Sequence, residues 1–384
     1  MRKFLFPLMV VLAGIMISGS TCTPDCCVPG TSVISADQTA LVFEYDGTPV
    51  TTNEVIITVA HPSITWKASA PTGWAVMVTT GKVSIAPAAI NTDVADKTGI
   101  ITIQSVNGDI LTVKVTQKGA PSITITTQLE FDDALAALAP YSVLNLLGTM
   151  TFMLGTGIEL NVDVTINGNG ATLEAVNPIS RGLSLVSPFT AYAPGDNPAI
   201  LITGGAVVKL NDLTITTKNS TGVPYAKTDG ITIMSGELEL DQVTFDGIYN
   251  QIGVTGIEEN GRCITAYGTS KVTVTNSVFK NFNKNGIHMF QSSQVDVSDS
   301  SFEGVGTLGI RGQNGIVFNI GFGGQAPSGT ITDCDFDGFV FDSVGDDACA
   351  VLIFRELVTD VYTQIVDGLG NTYGTNDQDW YVYP

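Results

Sequence analysis

The sequence predicts an all-β protein in which an N-terminal β-sandwich is followed by a parallel β-helix, a coil whose short strands stack from turn to turn. Three observations predict this class. Apolar and polar residues alternate at period two, a six-residue phrase recurs in the second half of the chain, and the first part carries about six short strands between turn residues. We expect one helix, shortly after residue 121.

The recurring phrase begins with an aliphatic residue, turns polar and ends mostly in Phe, and its copies start 23 to 34 residues apart. Strands this short cannot bury their apolar side alone, so successive turns must stack and pair their backbones in parallel sheets. We expect two strands per turn. The phrase copies are Leu210–Ile215, Leu240–Phe245, Val274–Phe279, Val297–Phe302 and Ile331–Phe336, and the companion phrases are Asp229–Ile233, Arg262–Ala266, Asn285–Met289 and Asn314–Phe318.

The third position of each phrase copy is polar, and stacking aligns these residues into a column. We expect this column at the bend between sheets, where Asp and Asn side chains satisfy turn backbone. Ligand contact is the alternative. The residues are Asp212, Gln242, Asn276, Asp299 and Asp333.

The first 21 residues have a charged start and an apolar run that is too short to span a membrane comfortably, which predicts an export signal. A tether over residues 22–30 follows. The small residues before Cys22 resemble a bacterial lipoprotein processing site, which implies lipidation of Cys22 and a location on the outer membrane, facing either the cell surface or the periplasm. Cleavage after Ser20 without lipidation is the alternative.

The net charge and the few cysteine and histidine residues limit the kinds of ligand and metal that the protein is expected to bind. With 17 Lys and Arg against 37 Asp and Glu, the net charge of -20 makes nucleic acid a poor partner and repels a strongly anionic polysaccharide unless a cation intervenes. The six cysteines and two histidines show no paired metal-ligand spacing, which argues against zinc. We predict no metal site and no cofactor, with calcium as the alternative if the protein is a lyase. We interpret Cys263 and Cys334 as small core residues.

Residues 31–119 carry the short strands and predict an immunoglobulin-like sandwich. Trp66 and Trp74, the run Thr98–Ile103 and the ending Val113–Gly119 resemble a BACON domain, a carbohydrate-associated module of Bacteroidetes. The resemblance implies sugar binding, for which Trp74 is the candidate. The alternatives are that the tryptophans fill the core and that the domain is a spacer.

Residues 121–384 form the predicted β-helix. A helix over Thr127–Ala139, with Leu129, Ala134, Leu135 and Leu138 on one face, is followed by strand patterns. This run resembles the opening of pectate-lyase-like right-handed parallel β-helices, in which a helix covers the first turn. Such a cover is needed because an exposed sheet end recruits other chains. We expect the aromatic residues after Val361 to close the other end.

Loop lengths and strand alternation predict a cleft around His288. Long loops on neighbouring turns flank the short one before His288, which favours walls around that turn. The alternative is an ordinary polar face with an ion pair between adjacent turns. The predicted floor is Asp229, Arg262, Lys284, Asn285 and His288.

Two sets of residues suggest an enzyme, one a glycoside hydrolase and the other a polysaccharide lyase. The segments Lys227–Ile233 and Gly345–Ala350 resemble carboxylate motifs of polygalacturonase-type hydrolases, but four turns separate their strands. At about 4.8 Å per turn this is roughly 19 Å, too far for glycoside hydrolysis. A lyase would need calcium held by several carboxylates, for which Asp333, Asp335, Asp337, Asp342, Asp346 and Asp347 are the acids, and a basic residue such as Arg311 or Arg355.

The sequence therefore predicts a monomeric surface lipoprotein that binds or handles a polysaccharide without an evident catalytic set, similar to surface lipoproteins of polysaccharide-using Bacteroidetes. A polysaccharide lyase or hydrolase and a structural spacer or adhesin are the alternatives, because the fold alone does not decide between them.

Overall fold

The structure is a computed structural model that describes residues 33–176, 197–218, 228–248, 261–304, 313–319, 326–340, 348–354 and 365–383. The predicted export signal, tether and Cys22 lie outside these residues. Contacts divide the chain into two compact units, one comprising Met1–Ala89 and Thr98–Gln117 and the other Ile90–Lys97 and Lys118–Pro384. Within the described residues, no helix is long and apolar enough to cross a membrane.

The first unit is a β-sandwich of two four-stranded sheets, ordered β1-β3-β6-β5 and β2-β8-β7-β4. Alternating aliphatic residues of both sheets fill the space between them. Two of its strands, β1 and β6, were missed in the sequence. The strands are β1 Ile34–Ala36, β2 Ala40–Phe43, β3 Glu54–Val59, β4 Trp66–Ser69, β5 Trp74–Thr79, β6 Lys82–Pro87, β7 Lys97–Ser105 and β8 Ile110–Gln117.

The second unit is a right-handed parallel β-helix built from two sheets, as the sequence predicted. The eight-stranded sheet, here called the site sheet, contains β12 Ile158–Leu160, β14 Asn197–Ile202, β16 Thr228–Ile233, β18 Arg262–Ala266, β21 Asn285–Phe290, β24 Asn314–Asn319, β27 Cys349–Phe354 and β30 Gln378–Tyr383. The fourteen-stranded sheet contains β9 Ser122–Ile125, β10 Ser142–Leu146, β11 Thr151–Gly155, β13 Val164–Val176, β15 Ala206–Lys218, β17 Gly236–Asp246, β19 Lys271–Thr275, β20 Val278–Lys280, β22 Gln294–Ser298, β23 Ser301–Glu303, β25 Ser328–Thr332, β26 Asp335–Asp337, β28 Ile365–Asp367 and β29 Thr372–Tyr373.

Helix α1, Gln128–Ala136, covers the first turn of the coil and is shorter than predicted. Thr127 accepts the N–H of Glu130, whose carboxylate accepts the N–H of Thr127 in return, so a capping box starts the helix. Phe131 and Ala134 enter the core, with Leu135 and Leu138 packed against it. The prediction for Leu129 is wrong, because this residue is 69% exposed. Leu129 is two positions before the buried Phe131 and therefore lies about 200° away from it around the helix axis.

A rung is one turn of the coil. The rungs formed by β12 and β13, β14 and β15, and β16 and β17 have the two strands that were expected, whereas from β18 onward the second strand is divided at the bend and each rung has three. In the rung containing His288, for example, β21, β22 and β23 each pair with the equivalent strand of the following rung. The recurring phrase spans the bend between the second and third strands, which explains why its two apolar ends flank a polar middle.

That bend is made by residues in the left-handed region of backbone space. Asp212, Gln242, Asn276, Asp299 and Asp333 all have φ between 48 and 57°, a region that Asn and Asp tolerate better than most side chains. The predicted column at the bend is therefore confirmed. The residue after the bend also contributes hydrogen bonds to the turn backbone. The Ser277 hydroxyl accepts the backbone N–H of Val243 in the preceding rung, and the Ser300 hydroxyl accepts that of Ser277.

Stacked aromatic rings run through the core just after the bend. Phe245, Phe279, Phe302, Phe336 and Tyr373 stack in order, with centroids 4.4 to 5.7 Å apart and rings within 12° of parallel. This is the aromatic ladder. It explains the phrase-ending Phe.

The ladder also explains the small residue before each Ile of the site sheet. A Cβ added at Gly286 would lie 2.8 Å from the Phe302 ring, and one at Gly315 would lie 2.9 Å from the Phe336 ring. These positions therefore face inward and have room for little more than hydrogen.

The aromatic residues near the C-terminus partly close the last rungs, as expected. The Trp380 indole donates to the Tyr373 hydroxyl at 2.7 Å, and that hydroxyl donates to Asp367 at 3.1 Å. Tyr373 thus terminates the aromatic ladder. Tyr362 lies outside the described residues.

Candidate functional site

The site sheet aligns the residues that the sequence placed together. Ile231, Ile264, Ile287 and Ile316 pair in register and are fully buried inside the coil, as predicted. Strand alternation then turns the following residue of each strand outward. This outer column, running over β16, β18, β21 and β24, contains Thr232, Thr265, His288 and Val317.

A second outward column lies two residues before each of these isoleucines. Strict alternation would turn this column inward with the isoleucines, but it is interrupted here, because the intervening residue also faces the interior, as Gly286 beside Phe302 and the core residue Cys263 show. The outward position of the column is shown by its next member, Cys349, which packs with Val317 and Leu352 in a cluster separate from the main core. The members are Asp229, Arg262, Asn285 and Asn314.

Most of this second column is tied to backbone, and Asn285 is the exception. Asp229 Oδ1 accepts the N–H of Arg262 at 2.9 Å, and Asn314 Oδ1 accepts the N–H of Cys349 at 3.0 Å. At Asn285 the equivalent N–H, that of Asn314, is instead donated to the carbonyl of Lys284. The Asn285 amide is therefore left out of the rung-to-rung bonding that its neighbours make.

The floor of an open cleft, predicted from loop lengths, is buried. Asp229 and Asn285 are almost completely inaccessible, Arg262 is 5% exposed and His288 is 7% exposed, while Lys284 alone is half-buried. The sequence identified which residues come together but not their burial, because that depends on the intervening segments. Those segments lie largely outside the described residues.

In the described part of the chain, four buried polar side chains on β16, β18 and β21 make no hydrogen bond through any of their polar atoms. They are Thr232, Thr265, Asn285 and His288, and the unbonded atoms include both amide atoms of Asn285 and both ring nitrogens of His288. Leaving a buried polar group unsatisfied costs about 1–3 kcal/mol, so native proteins rarely cluster several of them. We call these four side chains the polar cluster.

Electrostatics keep the imidazole neutral. Burial, reinforced by the positive charges of Arg262 and Lys284, holds the pKa of His288 well below its usual range. A neutral imidazole has one donor and one acceptor nitrogen.

Burial, with the nearby Asp229 charge, raises the pKa of the Cys263 thiol well above its usual range, which makes Cys263 an inert core residue.

Aromatic side chains flank the polar cluster, and the sequence reading overlooked them. The His288 ring stacks on Phe290 with centroids 4.0 Å apart, and Phe290 stacks on Tyr267 at 4.9 Å. Phe290 and Tyr267 each follow a core Ile by three residues. This shared spacing in the sequence could have predicted that the two aromatic side chains lie next to each other on adjacent rungs.

The described residues do not bring together the side chains that the hydrolase and lyase hypotheses require. Register places the strand starting at Cys349 four rungs from Asp229, as the sequence indicated, while Asp342, Asp346, Asp347, Arg311 and Arg355 lie outside the described residues. Asp335 and Asp337 accept hydrogen bonds from Thr372 and Thr375 of the next rung. Within the described parts of the chain, no three His, Cys, Asp or Glu side chains are grouped to hold a metal ion.

In the first unit, Trp74 packs against the sandwich core. Its ring lies 5.6 Å from that of Phe43, and a Cβ added at Gly99 would lie 2.7 Å from its indole nitrogen. Trp66 is likewise packed on this core. The packing supports the core reading of both tryptophans, and sugar binding by Trp74 stays a prediction.

Solved structures that resemble this chain include two carbohydrate-active enzymes. One is a PL6 family alginate lyase, with a TM-score of 0.37 and 13% identity, covering 68% of this chain and 39% of that one. The other is a Family 28 exopolygalacturonase from Yersinia enterocolitica, with a TM-score of 0.21 and 7% identity, covering 86% and 95%. No protein-family model and no curated protein sequence matches the chain. The resemblance to a BACON domain therefore stays a prediction, and the site is interpreted from its own side chains.

Proposed function

We propose that this protein binds a glycan through the polar cluster on the outer face of the site sheet. One observation carries the proposal: the side chains of Thr232, Thr265, Asn285 and His288 are buried, lie on three adjacent rungs and make no hydrogen bond among the residues that the structure describes. Such groups need a partner, and their location on the outward face, next to stacked aromatic rings, favours one supplied by a ligand.

The chemistry of the cluster fits a sugar. Thr hydroxyls, the Asn amide and neutral imidazole each offer both a donor and an acceptor, as sugar hydroxyls do. Phe290, whose ring is stacked between His288 and Tyr267, gives the cluster an apolar border that holds the imidazole in place. Because His288 is only 7% exposed, binding requires a local opening around it, and we expect association slower than at an open groove.

The test is retention of the full-length protein on a broad glycan array, followed by affinity electrophoresis with the retained glycan. His288→Phe keeps an aromatic ring on Phe290 but removes both nitrogens, and Thr265→Val keeps the shape but removes the hydroxyl. Each loses hydrogen bonds worth about 0.5–1.5 kcal/mol, or roughly 2- to 13-fold in affinity per bond.

The control is Thr273→Val, which makes the same chemical change on β19 in the neighbouring sheet. We expect it to bind like the unmodified protein. Equal retention of all three variants would place binding elsewhere, and an array that retains nothing would favour a structural spacer or adhesin.

An enzyme remains the alternative function, and the same glycan separates the two. New reducing ends would indicate a hydrolase, and an unsaturated product absorbing in the ultraviolet would indicate a lyase. With no catalytic carboxylate pair or metal cluster among the described residues, we expect the glycan to be recovered intact.

We further propose that the chain is exported and anchored to the outer membrane through a lipid on Cys22, which would present the β-helix to polysaccharide. The support is the sequence pattern of residues 1–22. Cys22→Ala should move the protein from the membrane fraction to the soluble fraction of cells. An unchanged distribution would exclude the anchor.

A further inference from the structure

We propose that the polar cluster recognises the hydroxyl groups of a neutral glycan and not the carboxylates of a uronate polymer. This inference rests on the proposed function and specifies its ligand class. It comes from which atoms lack partners and from the charge that surrounds them.

The decisive atoms are acceptors. The Asn285 carbonyl oxygen and the bare nitrogen of neutral His288 are buried and receive no hydrogen bond. An ionised carboxylate has no proton to donate and cannot satisfy them, whereas a sugar hydroxyl can. These acceptors therefore select hydroxyl groups as the contacting groups, and charge decides between a neutral glycan and a uronate polymer. The Asn285 amide nitrogen and the Thr232 and Thr265 hydroxyls supply the complementary donors.

Charge near the cluster is largely offset and leaves little to attract a polyanion. The Asp229 carboxylate, which accepts the Arg262 backbone N–H at 2.9 Å, offsets one of the two cations Arg262 and Lys284. The chain as a whole carries a net charge of -20, which repels a polyanion at long range. A neutral glycan meets neither obstacle.

Salt dependence separates the two ligand classes. Attraction between an anionic ligand and Arg262 or Lys284 weakens as salt screens it, whereas hydrogen bonding to neutral hydroxyls changes little. The experiment is titration calorimetry of the full-length protein at about 0.02 and 0.5 M salt. The probes are neutral β-glucan and galactomannan oligosaccharides, compared with alginate and polygalacturonate oligosaccharides of equal length.

We expect at least one neutral oligosaccharide to bind, with a Kd that changes less than about 2-fold between the two salt concentrations. Thr265→Val should weaken this binding by about 2- to 10-fold, and Thr273→Val should leave it unchanged. Asn285→Asp, which replaces the amide donor by a carboxylate, should weaken it similarly.

Binding confined to the uronate oligosaccharides, with a Kd that rises steeply with salt, would overturn the inference while leaving glycan binding intact. Binding of a neutral oligosaccharide that Thr265→Val and Asn285→Asp do not alter would also overturn it. Failure of every probe, and of the array, would count against the proposed function itself.

Discussion

The aromatic ladder makes a quantitative prediction about stability. Phe302 is fully buried and stacks on Phe279 at 4.4 Å and on Phe336 at 4.8 Å. Phe302→Leu retains most of the apolar volume but removes both ring contacts. At about 0.5–1.5 kcal/mol for each aromatic pair, the lost stacking should lower the free energy of unfolding by about 1–3 kcal/mol beyond the small cost of the shape change.

The matched control is Phe339→Leu, since Phe339 is as deeply buried but its ring lies 6.2 Å from that of Phe282 at a tilt of 39°. Denaturant unfolding of both full-length variants should be followed by circular dichroism. Phe302 loses two ring contacts and Phe339 one, so we expect Phe302→Leu to cost about 0.5–1.5 kcal/mol more than Phe339→Leu. Equal losses would refute the idea that stacking adds to burial in this core.

Three further predictions concern the bend, the capping helix and the end of the ladder. Asp299→Val places a β-branched residue at φ 49° and should lower stability by about 1–3 kcal/mol, whereas Asp299→Gly should be tolerated, as thermal unfolding would show. Hydrogen bonds from Thr126 and Thr127 hold the pKa of Glu130 below its usual range, so its stabilising effect should be present at neutral pH and lost as the pH falls through that pKa. Glu130→Gln should flatten this acid dependence, and an unchanged dependence would exclude the capping box as its source. Burial raises the pKa of Tyr373 to about 12, so stability should fall between pH 10 and 12 in the native protein and fall less in Tyr373→Phe.

The sequence predicted the rungs well because their determinants are local and repeated. The isoleucines of the site sheet alternate with outward residues in every copy, so Ile264 and Ile287 could be aligned from spacing alone. The bend was equally readable, because Asp299 and its equivalents are residues that tolerate a positive φ. Stacking then brought Arg262, Asn285 and His288 together as expected.

The errors arose where the outcome depends on segments that do not repeat. His288 was expected to face an open cleft and is buried, because strand alternation fixes the direction of a side chain but not what covers it. From β18 onward a third strand in each rung was missed, because there the bend divides the phrase between two strands. In α1, Leu129 has the same residue type as Leu135 but lies on the other side of the helix, and choosing between the two faces required knowing which side meets the coil.

The most direct test of the account uses the imidazole of His288 as its own probe. The chain has two histidines, so ¹⁵N-histidine labelling of a His61→Gln variant leaves only the signal of His288. We predict nitrogen shifts typical of one neutral tautomer near neutral pH and a clear change in both shifts when the glycan retained on the array is added to saturation. Binding of that glycan with no change in either His288 nitrogen would contradict the assignment of the site.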